Sequence, residues 1–177
     1  SKEWAKNVGN NKAVAWPAGV GGKGNEGVAS YVKRIKGSIG YVEYAYALQS
    51  HMTHVKLQNR AGHFVDPTSE NFQAAAANAD WKNAPGFYMV LTNQPGDNSW
   101  PITGASFILV YKEQKKPDTA RAVLKFFDWA YHNGQSMAEK LDYVPIPSSV
   151  VKLVEHTWAK DIHDTRGNAV WKMSMVQ

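Results

Sequence analysis

Gly19, Gly21 and Gly24 fall in the spacing G-x-G-x-x-G, and Asn25 follows directly. Glycines before a helix leave several backbone N–H groups free, and the helix N-terminus adds a positive dipole end, so such a loop suits an anion. By letter the spacing matches the dinucleotide fingerprint, whose context is a strand before it and a helix after it. Glu43 lies about twenty residues on, where that fingerprint places a ribose-binding acid. Trp16 and Pro17 separate the preceding β-run from the glycines, however, and a dinucleotide turn is tighter than that. The phosphate-loop alternative fails, because Lys23 is followed by Gly24 and not by Ser or Thr. Three readings stay open from these residues: a dinucleotide-dependent enzyme, an anion-facing loop, or a turn that needs φ > 0 at several places.

The other reactive residue types do not assemble by spacing. Of 6 histidines, only His51 and His54 are close, and no H-E-x-x-H pattern holds a metal. Glu43 and Asp128 stand in apolar surroundings with nothing in the sequence to pair them. No G-x-S-x-G elbow exists, and Gly104-Ala105-Ser106 lacks its spacing. There are 0 cysteines, which excludes disulfides, thiolate metal sites and Cys nucleophiles. The chain therefore reads as having no catalytic residues, no metal and no cofactor. The run 126–131, with Phe126, Phe127, Trp129 and Tyr131 around Asp128, invites a ligand-box reading; at helical spacing it predicts a helix packed on both sides.

The chain that must position these residues has 177 of them, 44% hydrophobic and 20% charged, with 7 Trp, 8 Tyr and 6 Phe. That composition excludes disorder. The net charge of +5 is spread along the chain, densest at 112–116, and makes no stripe of the kind nucleic-acid binders carry. No run approaches 18 apolar residues, so no membrane insertion is expected. The sequence starts at Ser1 without a signal peptide, which sets up the expectation of an upstream segment removed or held separately.

Periodicity predicts a helix end at 4–8, a β-run at 12–16, and a helix over 26–36 with Asn25 as N-cap and Gly37 as stop. A buried strand follows at 39–44, a short helix at 45–51, and a hairpin from His54 to Val65 turning at Ala61-Gly62. A helix is expected over 69–79 and a strand at 87–91. The polar stretch 93–99 is the candidate linker. The strongest strand signal is 102–111. Helices follow at 119–132, with Val123, Leu124, Phe127 and Ala130 inward, at 135–141, and at 149–162 capped by Ser148. The tail from Asp164 reads as irregular. Alternating strands and helices point to α/β layering.

Several segments together resemble one family: Gly21-Gly22-Lys23-Gly24-Asn25-Glu26-Gly27-Val28, Gly40-Tyr41-Val42-Glu43-Tyr44-Ala45-Tyr46-Ala47, Leu91-Thr92-Asn93-Gln94, Trp100-Pro101-Ile102-Thr103, Lys115-Lys116-Pro117, Lys125-Phe126-Phe127-Asp128-Trp129-Ala130-Tyr131, and Leu141-Asp142-Tyr143 ahead of Pro147-Ser148-Ser149-Val150-Val151. In this order they resemble the bacterial periplasmic phosphate-binding proteins of high-affinity phosphate ABC transporters, over residues 1 to about 168. The resemblance implies a type II periplasmic-binding fold, with two hinged α/β lobes that seal inorganic phosphate between them for ABC transporter permease subunits. It implies recognition by helix N-termini, hydroxyls, one Arg and an Asp acceptor, without metal. Family members are nearly twice this length, and their ligands lie in the first half, including an Arg-x-Asp-Gly-Ser-Gly-Thr segment that has no counterpart here.

The resemblance thus implies an incomplete fold: 1–97 as the remainder of lobe two and 98–177 as the returning part of lobe one. No direct phosphate ligand carries over. Gly22, Gly24 and Asn25 are the candidates for a cleft-facing or supporting element. A periplasmic location follows from the same resemblance. So does a complementary N-terminal half as partner, or self-association through exposed lobe edges.

Overall fold

A computed structural model describes residues 1–11 and 13–172. The chain divides into two compact units, Ser1–Met52 and Thr53–Gln177.

The first unit is helical. Helix α1 spans Lys2–Asn7, and the Ser1 hydroxyl accepts from the Trp4 N–H. Helix α2 spans Gly24–Arg34 and α3 spans Tyr44–Gln49. Their buried residues are both small, Ala29 and Ala45. Gly40 crosses against α2, where an added Cβ would lie 2.8 and 2.9 Å from the Val32 and Val28 methyls. The strands expected at 12–16 and 39–44 are absent: 13–16 and 39–43 carry no ladder, Lys12 lies outside the described residues, and Ile39 is 84% exposed. A strand needs a hydrogen-bonded neighbour as well as β-branched residues, and neither segment has one among the described residues.

The second unit opens with the predicted hairpin, shortened to two pairs. Strands β1 (Leu57–Gln58) and β2 (Phe64–Val65) run antiparallel, Leu57 opposite Val65. Buried Asn59 holds its turn. The Asn59 Oδ1 accepts from the Ala61 and His63 N–H groups at 3.1 and 3.0 Å, and its Nδ2 donates to the Asp97 carbonyl at 2.7 Å. Helix α4, Ser69–Ala77, starts from a Thr68 hydroxyl that accepts from the Asn71 N–H. The stretch 93–99 is a tightly folded turn: Ser99 is 0% exposed and donates to the Pro95 carbonyl at 2.6 Å.

The strand expected at 87–91 is also absent. Gly86 and Phe87 both take left-handed φ, 61° and 58°, which a strand cannot accommodate. The segment 102–111, the strongest strand signal, makes only an isolated bridge from Ile102 to Thr92 before running unpaired, with Leu109 94% exposed. No sheet among the described residues takes up its apolar side chains.

Helix α5 is Pro117–Asn133, with Pro117 in its first turn as φ fixation favours. Helices α6 (Gln135–Lys140) and α7 (Ser148–Asp161) follow. Ser148 is the first residue of α7 rather than its cap. Strand β3 (Glu113–Gln114) pairs in parallel with β4 (His163–Asp164), Glu113 opposite His163, so three helices lie between the two strands. Mixed elements with this parallel pair make the architecture α/β.

Two apolar cores share α7. One gathers Ala120 and Leu124 of α5 with Trp158, Ile162, Val170 and Trp171; the other gathers Ala76, Trp81, Leu91 and Val150. Beyond Asp164 the described part of the tail is irregular, as expected, but it is folded back by its own hydrogen bonds. Asp164 Oδ1 accepts from the Arg166 and Asn168 N–H groups at 2.8 and 2.9 Å, which folds the turn and returns Val170 and Trp171 to the core. The α5 expectation also needs correction. Only the stripe Ala120, Leu124, Phe127, Tyr131 packs inward, while Val123, Phe126 and Trp129 are exposed, so the aromatic run has one buried side.

Candidate functional site

Two places gather chemistry, one in each unit. In the first unit the glycine loop runs directly into α2. Gly24 takes a φ of +67°, a conformation L residues rarely adopt, and so starts the helix one residue before Asn25. Gly22 packs against the opening turn, where an added Cβ would meet the Val28 nitrogen at 2.5 Å. Asn25 is therefore inside the helix and is not its cap. The Asn25 Oδ1 instead accepts from the Glu43 backbone N–H at 2.9 Å, stapling the loop to the start of α3. Beside it, the Tyr46 hydroxyl donates to Glu26 Oε1 at 2.8 Å. The Glu26 backbone N–H and then Tyr46 hold that carboxyl below its ordinary value.

The structure thus brings Gly22, Gly24, Asn25 and Glu43 together around one helix start. Glu43 contributes its backbone, not a carboxylate, to that contact. The dinucleotide reading lacks its context, because 13–16 form no strand ahead of the glycines. Trp16 lies outside the loop in an aromatic row, 5.5 Å from Trp4 and 6.3 Å from Tyr41 between ring centroids.

In the second unit Asp128 is not isolated. Asp128 and His132 project one turn apart from α5, and Glu155 reaches them from α7, with one donor atom of each within 4.8 Å of the others. His132 Nδ1 lies 3.6 Å from Glu155 Oε1 and 3.0 Å from the Asp128 carbonyl. Glu155 Oε1 is buried and has no hydrogen-bond partner. Burial pushes the Glu155 carboxyl above its ordinary value, and neighbouring Asp128 adds to this while His132 opposes it. Burial and Glu155 raise Tyr131 as well. These are the described residues able to hold a metal ion. Asp128 reads as unpaired in the sequence, although His132 stands at i+4 from it on α5 and that spacing could have joined them. Glu155 carries no such signal, since only the packing of α7 on α5 brings it there. An open cavity of about 560 Å³ adjoins Asp128, lined also by Arg121, Lys125, Trp171 and Lys172.

Comparison with known proteins bears on the whole chain. Residues 4–133 match the family model described as a PBP superfamily domain. The chain is 52% identical over 172 residues to the phosphate-binding protein PstS of Pasteurella multocida, covering 97% of this chain and 50% of that protein. It is 55% identical over 161 residues to PstS of Xylella fastidiosa, covering 91% and 44%. PstS of the archaeon Methanocaldococcus jannaschii is 35% identical over 169 residues, covering 86% and 43%. The chain spans about half the length of the curated relatives it matches.

Proposed function

This chain belongs to the PBP superfamily, and from that premise we propose that it is part of a phosphate-binding transport protein. In this reading the protein captures inorganic phosphate between two lobes in the periplasm and delivers it to the permease subunits of an ABC transporter. It is a binding protein and not an enzyme. The observation that carries the reading is identity of 52% and 55% to proteins named for phosphate binding, sustained over 97% and 91% of the chain.

The fold belongs to the type II form, with 1–97 completing lobe two and 98–177 returning to lobe one. Gly22, Gly24 and Asn25 then shape a helix start at or near the cleft. The support for this is physical: glycine backbone can approach an oxyanion closely, and a helix N-terminus offers N–H donors and a positive dipole end. The direct ligands belong to the half of the relatives that this chain does not match. No helix among the described residues is long and apolar enough to cross a membrane.

Calorimetric titration with inorganic phosphate tests the reading. The chain alone is expected to show no sub-micromolar binding. Recombined with the first half of the Pasteurella relative, it is expected to recover tight binding. Sub-micromolar binding by the chain alone would overturn the placement of the ligands. A folded recombined protein that takes up no phosphate would overturn the function.

A further inference from the structure

Two carboxylates and an imidazole converge where α5 packs on α7. Glu155 is the informative member. Its side chain is only 13% exposed, and its Oε1 is buried without a hydrogen-bond partner. A buried carboxylate oxygen in that state carries a desolvation cost that some cation should offset. The His132 ring faces it with Nδ1 at 3.6 Å, which is beyond a hydrogen bond.

That separation is close to what two ligands of one metal ion require. Donors about 2.0–2.1 Å from a tetrahedral centre stand roughly 3.3–3.4 Å from each other. Asp128, one helical turn before His132, supplies the third donor, and all three donor atoms lie within 4.8 Å of one another.

We propose that Asp128, His132 and Glu155 bind a divalent transition-metal ion of the zinc class, independently of phosphate. The donor set is one nitrogen and two carboxylate oxygens, which suits zinc-like ions, and three protein ligands leave a fourth position for water. His132 is half-exposed, which gives the ion its entry. Binding places the metal at Nδ1, so the ring gives up its contact with the Asp128 carbonyl and carries its proton on Nε2. A bound cation offsets the cost that burial and the neighbouring Asp128 set on an ionised Glu155.

Zinc titration of the whole chain by calorimetry, with a cobalt spectrum to report nitrogen and oxygen ligation, decides it. One equivalent of zinc is expected to bind. His132→Ala and Glu155→Gln should each weaken it more than about tenfold, above the floor that even outer-sphere changes reach. His51→Ala, at the histidine pair elsewhere in the chain, should leave it unchanged. Should Glu155→Gln misfold by circular dichroism, half-exposed His132 still decides the outcome. Absence of zinc binding, or binding indifferent to His132→Ala, overturns the site.

Discussion

At the scale of single residues, two positions do more than their size suggests. Gly22 is held against the first turn of α2, with a hypothetical Cβ at 2.5 Å from the Val28 nitrogen and 2.7 Å from the Gly27 carbonyl carbon. Backbone atoms cannot yield as a side chain can. Gly22→Ala is therefore expected to destabilise α2 by about 1–3 kcal/mol, the range of an overpacked contact. Gly21→Ala, where the added Cβ meets nothing, should stay within about 0.5 kcal/mol. Amide exchange along α2 reads both.

Asp164 is the second such position. The Asn168 side chain, then the Asn168 and Arg166 backbone N–H groups, hold its carboxyl at about 2, against an ordinary 3.8. A depressed carboxylate stabilises the fold in full above its unfolded value and loses that contribution as pH falls through the folded one. The loss thus falls between 3.8 and about 2. Urea midpoints across that interval should drop more steeply for the natural chain than for Asp164→Asn.

At the scale of elements, helices were legible, and of the strands only the hairpin was. The sequence spacing of Ala120, Leu124, Phe127 and Tyr131 places them on one stripe of α5, and α5, α6 and α7 fall within two residues of expectation. A helix satisfies its own backbone, so local pattern is nearly sufficient. A strand is completed by a neighbour, and apolar content at 39–44, 87–91 and 102–111 says nothing about whether one is present. The candidate site divides the same way: the i, i+4 spacing of Asp128 and His132 was there to be read but was passed over, and Glu155 came only with helix packing.

The face of α5 can be tested directly. Leu124 is 1% exposed and Phe126 is 60% exposed. Leu124→Ala is expected to cost about 2–5 kcal/mol, and Phe126→Ala about 0.5 kcal/mol or less, in equilibrium unfolding. Had both sides been packed, the two losses would be alike. Asn59→Ala should cost about 1–3 kcal/mol, because it removes the hydrogen bonds of a buried side chain to the Ala61 and His63 N–H groups and to the Asp97 carbonyl.

At the scale of the whole molecule, an apolar run lies open to solvent. Phe107, Ile108, Leu109 and Tyr111 are exposed in a run that reads as a sheet strand. Unpaired strand-like segments invite association. Light scattering of the chain alone should show concentration-dependent self-association, and Leu109→Lys should suppress it.

The parallel pair β3–β4 has a kinetic consequence. The Glu113–His163 register joins positions about fifty residues apart, and all of α5, α6 and α7 lies in the loop between them. Closing such a loop is entropically costly until the intervening helices have shortened it, so this ladder is among the late events of folding. The His163 amide, bonded to the Lys112 carbonyl at 2.9 Å, should gain protection in pulse-labelling only after amides in the middle of α5 and α7 have done so. The last turn of chain before Trp171 would then close the second unit as a clasp, after its helices have already found one another.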